Sequence, residues 1–556
     1  MSFLDDARRR RLRRCAAVVA TVAMTVGLGG AAVAAEADDG TTTFLVQVDG
    51  ALPTRAELDA SLPSVEVDSV RSLGEGIAAV EVSGRGTAAQ QERALDRSPL
   101  VDDVAPDRRF TIAGAKAPVA DSDPWTAQQW DLWDAASTAR AGGFGIDAPR
   151  AWTRTRGDRG VVVAVLDTGI TPHPDLRGAS VLKGYDFVSE SDGLETGDGD
   201  GWDADPSDPG DACADLGTDS SWHGTFVAGE IVAQDDGTGV IGAAPGVSLL
   251  PVRVLGACGG SEADSVAAIE WASGGAVPGV RPNPRPASVI SLSLGSESGE
   301  CSDALQTAID DATGRGAVVV AAAGNEGTTM ADTSPANCAG VVSVAATTRT
   351  GMLAGYSNRG DGSITPSIAA PGGSDANPVV GDIWTSTGDF TADGNRPAIG
   401  TDQGTSMATP RVAAAIALLL SARPGLDPAD VMQRIAATAT PFPTGSTCDE
   451  ARCGDGIVNA GDLVGAKRVL LGTAPTRITG SARVGARLTA AGGAWRPAAA
   501  VRYRWLRDGR PIAGATGRAY RPRAADRGHR IAVQVRAQRA DAFAVTVTSA
   551  ARRVPR

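Results

Sequence analysis

Five short, almost wholly apolar runs, at residues 161–166, 247–254, 289–294, 318–322 and 341–345, alternate along this chain with stretches of helical pattern at 223–233, 261–272, 302–315 and 405–422. A strand that is apolar at every position has to be covered on both faces, and strands separated by helices are joined by crossovers that leave them parallel. The pattern predicts an α/β domain of three layers, a mostly parallel sheet between two sets of helices. With 556 residues the chain is too long for one ordinary domain, and 42% hydrophobic residues are enough for several cores.

Both ends read differently from this centre. Residues 1–35 carry a basic start (Arg8 to Arg14), an apolar run over 16–28 and a small-residue close at Ala32-Val33-Ala34-Ala35, the layout of a secretory signal peptide. Cys15 precedes the apolar run, which disfavours a lipoprotein, and no later stretch reads as a membrane span. A secreted, extracellular protein is expected. Residues 36–120 read as a small α/β unit, with strands at 43–48 and 76–82, helices at 55–62 and 87–95, and a final extended run over 101–110. Residues 472–480 read as a linker, and 481–556 as a small β-sandwich-like domain with strand alternation at Val501, Tyr503, Trp505 and at Ile531, Val533, Val535, and a turn at Asp508-Gly509. This end resembles the immunoglobulin-like modules appended to bacterial exported proteins. Residues 477–556 hold 18 Arg against 3 Asp, a net of +15, which leaves −28 for residues 1–476 of a chain whose total is −13. An anionic cell-surface polymer is a possible ligand for that basic module; a specific nucleic acid is not expected. Only Lys116, Lys183 and Lys467 are lysines, so a genome-wide Arg bias and docking onto the acidic part of the chain compete with that reading.

Past the leader six cysteines remain, an even number that favours disulfides in an exported chain. Cys448 and Cys453 are close enough to close a small loop. Among the fifteen possible pairings, Cys213 with Cys258 and Cys301 with Cys338 are expected for the others.

Three motifs in the central region support one another. Asp167-Thr168-Gly169 ends an apolar run, which puts a carboxylate at the carboxyl edge of a parallel sheet, where it can reach a cleft. His223-Gly224-Thr225 opens an apolar helix, and Gly404-Thr405-Ser406-Met407-Ala408-Thr409-Pro410 leads from a small-residue turn into another. A serine needs a base to take its proton and a carboxylate to orient that base, and a helix N-terminus presents N–H groups to developing negative charge. Of the other histidines, His173 reads as structural and His529 lies in the C-terminal module.

Residues 161–169 (VVVAVLDTG), 223–229 (HGTFVAG), 291–295 (SLSLG), 321–326 (AAAGNE) and 404–410 (GTSMATP), in the order Asp, His, Ser, resemble the subtilisin family over residues 120–470. The resemblance implies a subtilisin-like catalytic domain over 121–471, preceded by a propeptide over 36–120 that serves as folding template and temporary inhibitor. It implies a secreted, monomeric serine endopeptidase acting on proteins and peptides, with Ser406 as nucleophile, His223 as base, Asp167 orienting His223, and Asn325 as side-chain donor to the oxyanion. Gly259, Gly260 and Ser261, with Ser293, Leu294 and Gly295, match the family's two edges that pair with an extended substrate. Calcium is the implied structural ion, held by Asp123, Asp175, Asp236 and carbonyls of residues 234–240; no organic cofactor is implied. A second calcium candidate is the acidic run of Asp198, Asp200, Asp203 and Asp205, which lacks the closing Glu of an EF-hand loop. Phe226 and Arg411 depart from the family, standing where relatives often carry His. A non-hydrolytic binding protein, or a ligase or esterase using the same acyl-enzyme, are the alternatives.

Overall fold

In a computed structural model, residues 42–555 are described except for 49–50, 63–64, 75, 85–86, 113–116, 119–127, 134–142, 190–195, 200, 214–216, 238, 297–298, 386–395, 466–470, 473–475, 492–494, 497–499 and 539–544. The leader, Asp123 and Asp200 lie outside the described residues.

The apolar runs form a parallel sheet in the order Ile368–Pro371, Val342–Thr347, Val318–Ala322, Val289–Leu292, Val162–Asp167, Ser248–Arg253 and Ser180–Val181, with Tyr185–Asp186 also on Ser248–Arg253. Side chains alternate along each strand between two cores. Val163 and Val165 face the helices His223–Val232, Thr405–Ala422 and Pro428–Thr438, while Val162, Ala164 and Leu166 face Glu262–Ala272 and Asp303–Gly314. This is the three-layer α/β arrangement. Thr405–Ala422 is by length and composition apolar enough to cross a bilayer, contrary to the sequence reading, but 89% of it is buried inside the protein, where it serves as the central helix of a core. All three expected disulfides form: Cys213–Cys258, Cys301–Cys338 and Cys448–Cys453.

Residues before the central sheet make a four-stranded antiparallel sheet, ordered Glu66–Gly74, Ile77–Ser83, Thr42–Gln47, Asp103–Pro106, with helices Arg55–Ser61 and Ala88–Leu95. One face has its own core around Phe44, Leu58 and Val80. From the other, Leu45, Leu73, Ile77 and Ala79 join the core beneath Glu262–Ala272 and Asp303–Gly314.

At the other end, Ala500–Arg507 pairs with Arg530–Gln538 in a five-stranded sheet, and Arg477–Thr479, Leu488–Ala491 and Ala519–Tyr520 form a second sheet. Both contribute to a core built on the fully buried Trp505. Asp508 and Gly509 have φ of 46° and 79°, the left-handed pair of a two-residue hairpin turn, and the turn leads into the short strand Arg510–Pro511. The span read as a linker, 472–480, contains the strand Arg477–Thr479.

Candidate active site

Asp167 is the last residue of its strand, and that strand is where the sheet order reverses: Ser180–Val181, Tyr185–Asp186 and Ser248–Arg253 are laid on one side of it, and Val289–Leu292 and the later strands on the other. Its carboxylate is wholly buried, and Oδ1 accepts from the Thr168 N–H (2.8 Å) and lies 2.8 Å from Nδ1 of His223. His223 is 2% exposed. Burial disfavours its imidazolium, but the charge and hydrogen bond of Asp167, with Asp402 and Asp211 farther off, outweigh burial and raise its pKa. Its Nε2 has no hydrogen-bond partner among the described residues. The bond from Nδ1–H to Asp167 fixes the tautomer with the Nε2 lone pair free.

Thr168, unremarked in the sequence beyond its motif, locks the two segments together. Its hydroxyl accepts from the Gly224 N–H (2.9 Å) and donates to Asp208 (2.7 Å). Gly224 approaches so closely that a Cβ there would fall 2.1 Å from the Gly169 carbonyl oxygen. Asp211 accepts from the N–H groups of Ser221 and Trp222, just ahead of His223.

Ser406 sits in the first turn of Thr405–Ala422, after Gly404. Met407 and Ala408 bond back to the Gly404 carbonyl and the Thr405 N–H goes to Asn325, which leaves the Ser406 N–H outside the helix ladder. Pro410, four residues on, has no N–H to give to the Ser406 carbonyl. The Ser293 hydroxyl takes that place (2.8 Å), and the Ser406 hydroxyl donates in return to the Ser293 carbonyl (3.0 Å) rather than to His223. A proline inside a helix is thereby accommodated by a residue 113 positions away.

Asn325 is half-buried after the strand Val318–Ala322. Its Oδ1 accepts both the N–H and the hydroxyl of Thr405, each at 2.9 Å. Since a backbone N–H can only donate, the amide oxygen is fixed there and Nδ2 is turned away as a donor.

The two expected edges are brought together by a strand of the chain itself. Arg109–Ile112 pairs antiparallel on one side with Gly260–Ser261 (Phe110 opposite Gly260) and on the other with Leu294–Gly295 (Thr111 opposite Gly295). Gly259, with φ of 114°, lets this strand close in, because a Cβ would come within 2.5 Å of the Phe110 carbonyl oxygen. Phe110 is fully buried.

Among the described residues no three His, Cys, Asp or Glu side chains group as metal ligands. Asp175 is 3% exposed, and its Oδ2 accepts the Val240 N–H (2.7 Å), while Asp236 is exposed on the loop between. Asp198 pairs with the buried Arg253, which also holds Asp186. Asp203 and Asp205 accept backbone N–H groups two residues ahead of them. His173 is buried and its pKa is lowered to about 4 by burial, with Nδ1 accepting the Asp175 N–H, so it is neutral and structural as expected.

Arg411 and Phe226, the departures from the family pattern, are both buried. Arg411 forms ion pairs with Asp131 (2.5 Å) and Glu230 (3.2 Å), all three side chains being 0% exposed. Sequence reasoning flagged Arg411 but not its two acidic partners, which lie 280 and 181 positions away.

Residues 158–462 match the Subtilase family of peptidases. The chain is 40% identical to an extracellular protease of Xanthomonas campestris over 75% of this chain and 68% of that one, and 34% identical to subtilisin Savinase of Lederbergia lenta over 57% of this chain and 94% of that one. Among solved structures, a protease of Pseudoalteromonas arctica is 42% identical and superposes with a TM-score of 0.55 over 62% of this chain and 98% of that one. With the matched span containing Asp167, His223, Asn325 and Ser406, the chain belongs to the subtilase family and is a serine endopeptidase.

Proposed function

We propose that this chain is a secreted endopeptidase working through Asp167, His223 and Ser406, made as a precursor in which residues 36–120 occupy its own cleft. The observation that carries the reading is the buried Asp167–His223 pair, with Nε2 left without a hydrogen-bond partner among the described residues. Once the Ser406 hydroxyl turns from the Ser293 carbonyl, Nε2 takes its proton as Oγ attacks the substrate carbonyl, and Asp167 stays ionised beside the imidazolium. The oxyanion is held by Nδ2 of Asn325 and the Ser406 N–H. The imidazolium then protonates the leaving amine, and water, activated by His223, releases the acyl group. Arg109–Ile112 shows how an extended segment pairs with both edges, so substrate binding rests largely on main-chain hydrogen bonds and specificity is broad.

Mass spectrometry of the secreted protein treated with a phosphonylating inhibitor tests this directly: one adduct, on Ser406, is expected, with the residues before the mature N-terminus absent. An adduct elsewhere, or none on active protein, overturns it. Asn325→Leu is expected to lower turnover by about 10²–10³ with little change in KM. A change confined to KM removes Asn325 from the oxyanion role.

Calcium fits around Asp175. Gly239 lies so close to this buried carboxylate that a Cβ there would fall 1.6 Å from its oxygen, and carbonyls of residues 234–240 would be the further hard ligands. The ion would tie the loop to the segment carrying Asp175. Excess chelator is therefore expected to lower the melting temperature and shorten the life against autolysis. Unchanged unfolding after exhaustive dialysis would discard the ion. In the C-terminal module, Arg502 lies directly opposite Arg536 on exposed strand positions, a like-charge pairing that an anionic polymer would relieve.

A further inference from the structure

Arg71, on the strand Glu66–Gly74, reaches out of the N-terminal sheet into a site built by later residues. Its Nη1 donates to Oδ1 of Asp264 at 3.0 Å, and its guanidinium lies 4.5 Å from the centre of the Trp202 ring. Asp264 is in the first turn of Glu262–Ala272, with its side chain 1% exposed. Among the described residues its other hydrogen bonds come from neutral donors: Trp202 Nε1 to Oδ1 (3.0 Å), and the Ser189 N–H (3.0 Å) and hydroxyl (2.7 Å) to Oδ2. The Trp202 ring also meets Phe187 in a T-shaped contact, centroids 5.0 Å apart. A buried carboxylate at the N–H edge of an indole whose face is covered by the guanidinium suits a planar cation that donates to the carboxylate and lies over the ring.

The same site adjoins the cleft. The Asp264 N–H donates to the Ser261 hydroxyl (3.0 Å), and Ser261 is one of the edge residues paired with Arg109–Ile112. Two residues earlier, Asp107 accepts the Ala263 N–H, so the occupied cleft and the Arg71 slot meet at one helix N-terminus.

We infer that Asp264, Trp202 and Ser189 form a guanidinium-binding site, filled by Arg71 in the precursor and opened to an arginine side chain of a substrate or inhibitor once residues 36–120 depart. The second half rests on the propeptide reading above. In the precursor the site latches the N-terminal unit; in the mature enzyme it becomes an exosite beside the non-primed end of the cleft.

The first test needs no catalysis. In full-length chain carrying Ser406→Ala and Arg71→Ala, agmatine is the probe, read by tryptophan fluorescence. Saturable binding at about 1–10 mM is expected. It is expected to be absent when Arg71 is present, at least about tenfold weaker with Asp264→Asn, and silent with Trp202→Phe. Equal binding in the Arg71 protein, or binding untouched in both pocket variants, overturns the site. Trp202→Phe keeps the test open if Asp264→Asn does not fold. In the active chain, Arg71→Ala is expected to release the N-terminal unit about tenfold faster, with Arg71→Lys between; unchanged release rejects the latch. If no variant ever hydrolyses peptide, the proposed function fails and the agmatine result still stands.

Discussion

Ser406→Ala is expected to abolish peptide hydrolysis, with turnover falling on the order of 10⁶-fold, and to leave residues 36–120 attached to the secreted chain. The geometry gives two reasons. In the proposed mechanism Nε2 of His223, which has no hydrogen-bond partner among the described residues, takes the Ser406 proton, and the segment Arg109–Ile112 pairs with both edges of the cleft as a bound peptide would. The measurement is gel mobility and intact mass of protein secreted from a protease-deficient host, together with casein hydrolysis. A variant that matures normally there and keeps casein hydrolysis would falsify the assignment. The loss is also expected to leave folding intact, because the Ser293 hydroxyl still satisfies the Ser406 carbonyl when the Ser406 side chain is cut back.

Arg411→Leu is expected to cost about 3–5 kcal/mol, read as a melting temperature lower by roughly 10 °C. Asp131 and Glu230 are both fully buried, and burial raises the pKa of each against the opposing charge of Arg411. Remove that charge and two carboxylates are left in the interior with no cation. A carboxyl whose folded pKa is raised favours the folded state below its unfolded pKa and loses that favour as pH rises through the folded value. The deficit of Arg411→Leu is therefore expected to be smaller at mildly acid pH than at pH 7. Adding Asp131→Leu and Glu230→Leu should recover much of it. A single variant that melts within a degree of the parent would show that the ion pairs do not hold the helices His223–Val232 and Thr405–Ala422 together.

The sheet and the site were readable because they rest on local signals. A nearly wholly apolar run states its own burial, so the strands from Val162–Asp167 to Val342–Thr347 all lie within two residues of their expected places. The strand Glu66–Gly74 was missed since its side chains are mostly half-buried and polar, EVDSVRSLG, and its place comes from pairing with Ile77–Ser83. The antiparallel pair Val379–Thr385 and Arg396–Asp402 was missed for a related reason: the second strand, RPAIGTD, carries neither alternation nor an apolar run. Motifs located Ser406 and Asn325, but not that Thr405 orients the amide or that Pro410 opens the Ser406 carbonyl to Ser293. Those contacts join segments 80 and 113 positions apart, which no window of sequence contains. The partners of Arg411 were hidden in the same way, although a lone cation inside an apolar helix was a signal that acids had to meet it.

The strand Arg109–Ile112 between the two cleft edges has a kinetic consequence. While it is covalently part of the chain, the cleft faces its occupant at an effective concentration in the millimolar range or above, whatever the protein's dilution. Cutting the chain turns that occupant into an ordinary ligand, whose hold depends on how many molecules share the same volume. On the proposed precursor reading, a concentrated cleaved chain would stay closed, and dispersal alone would open it. Activity would then report arrival in an open medium, with dilution as the timer.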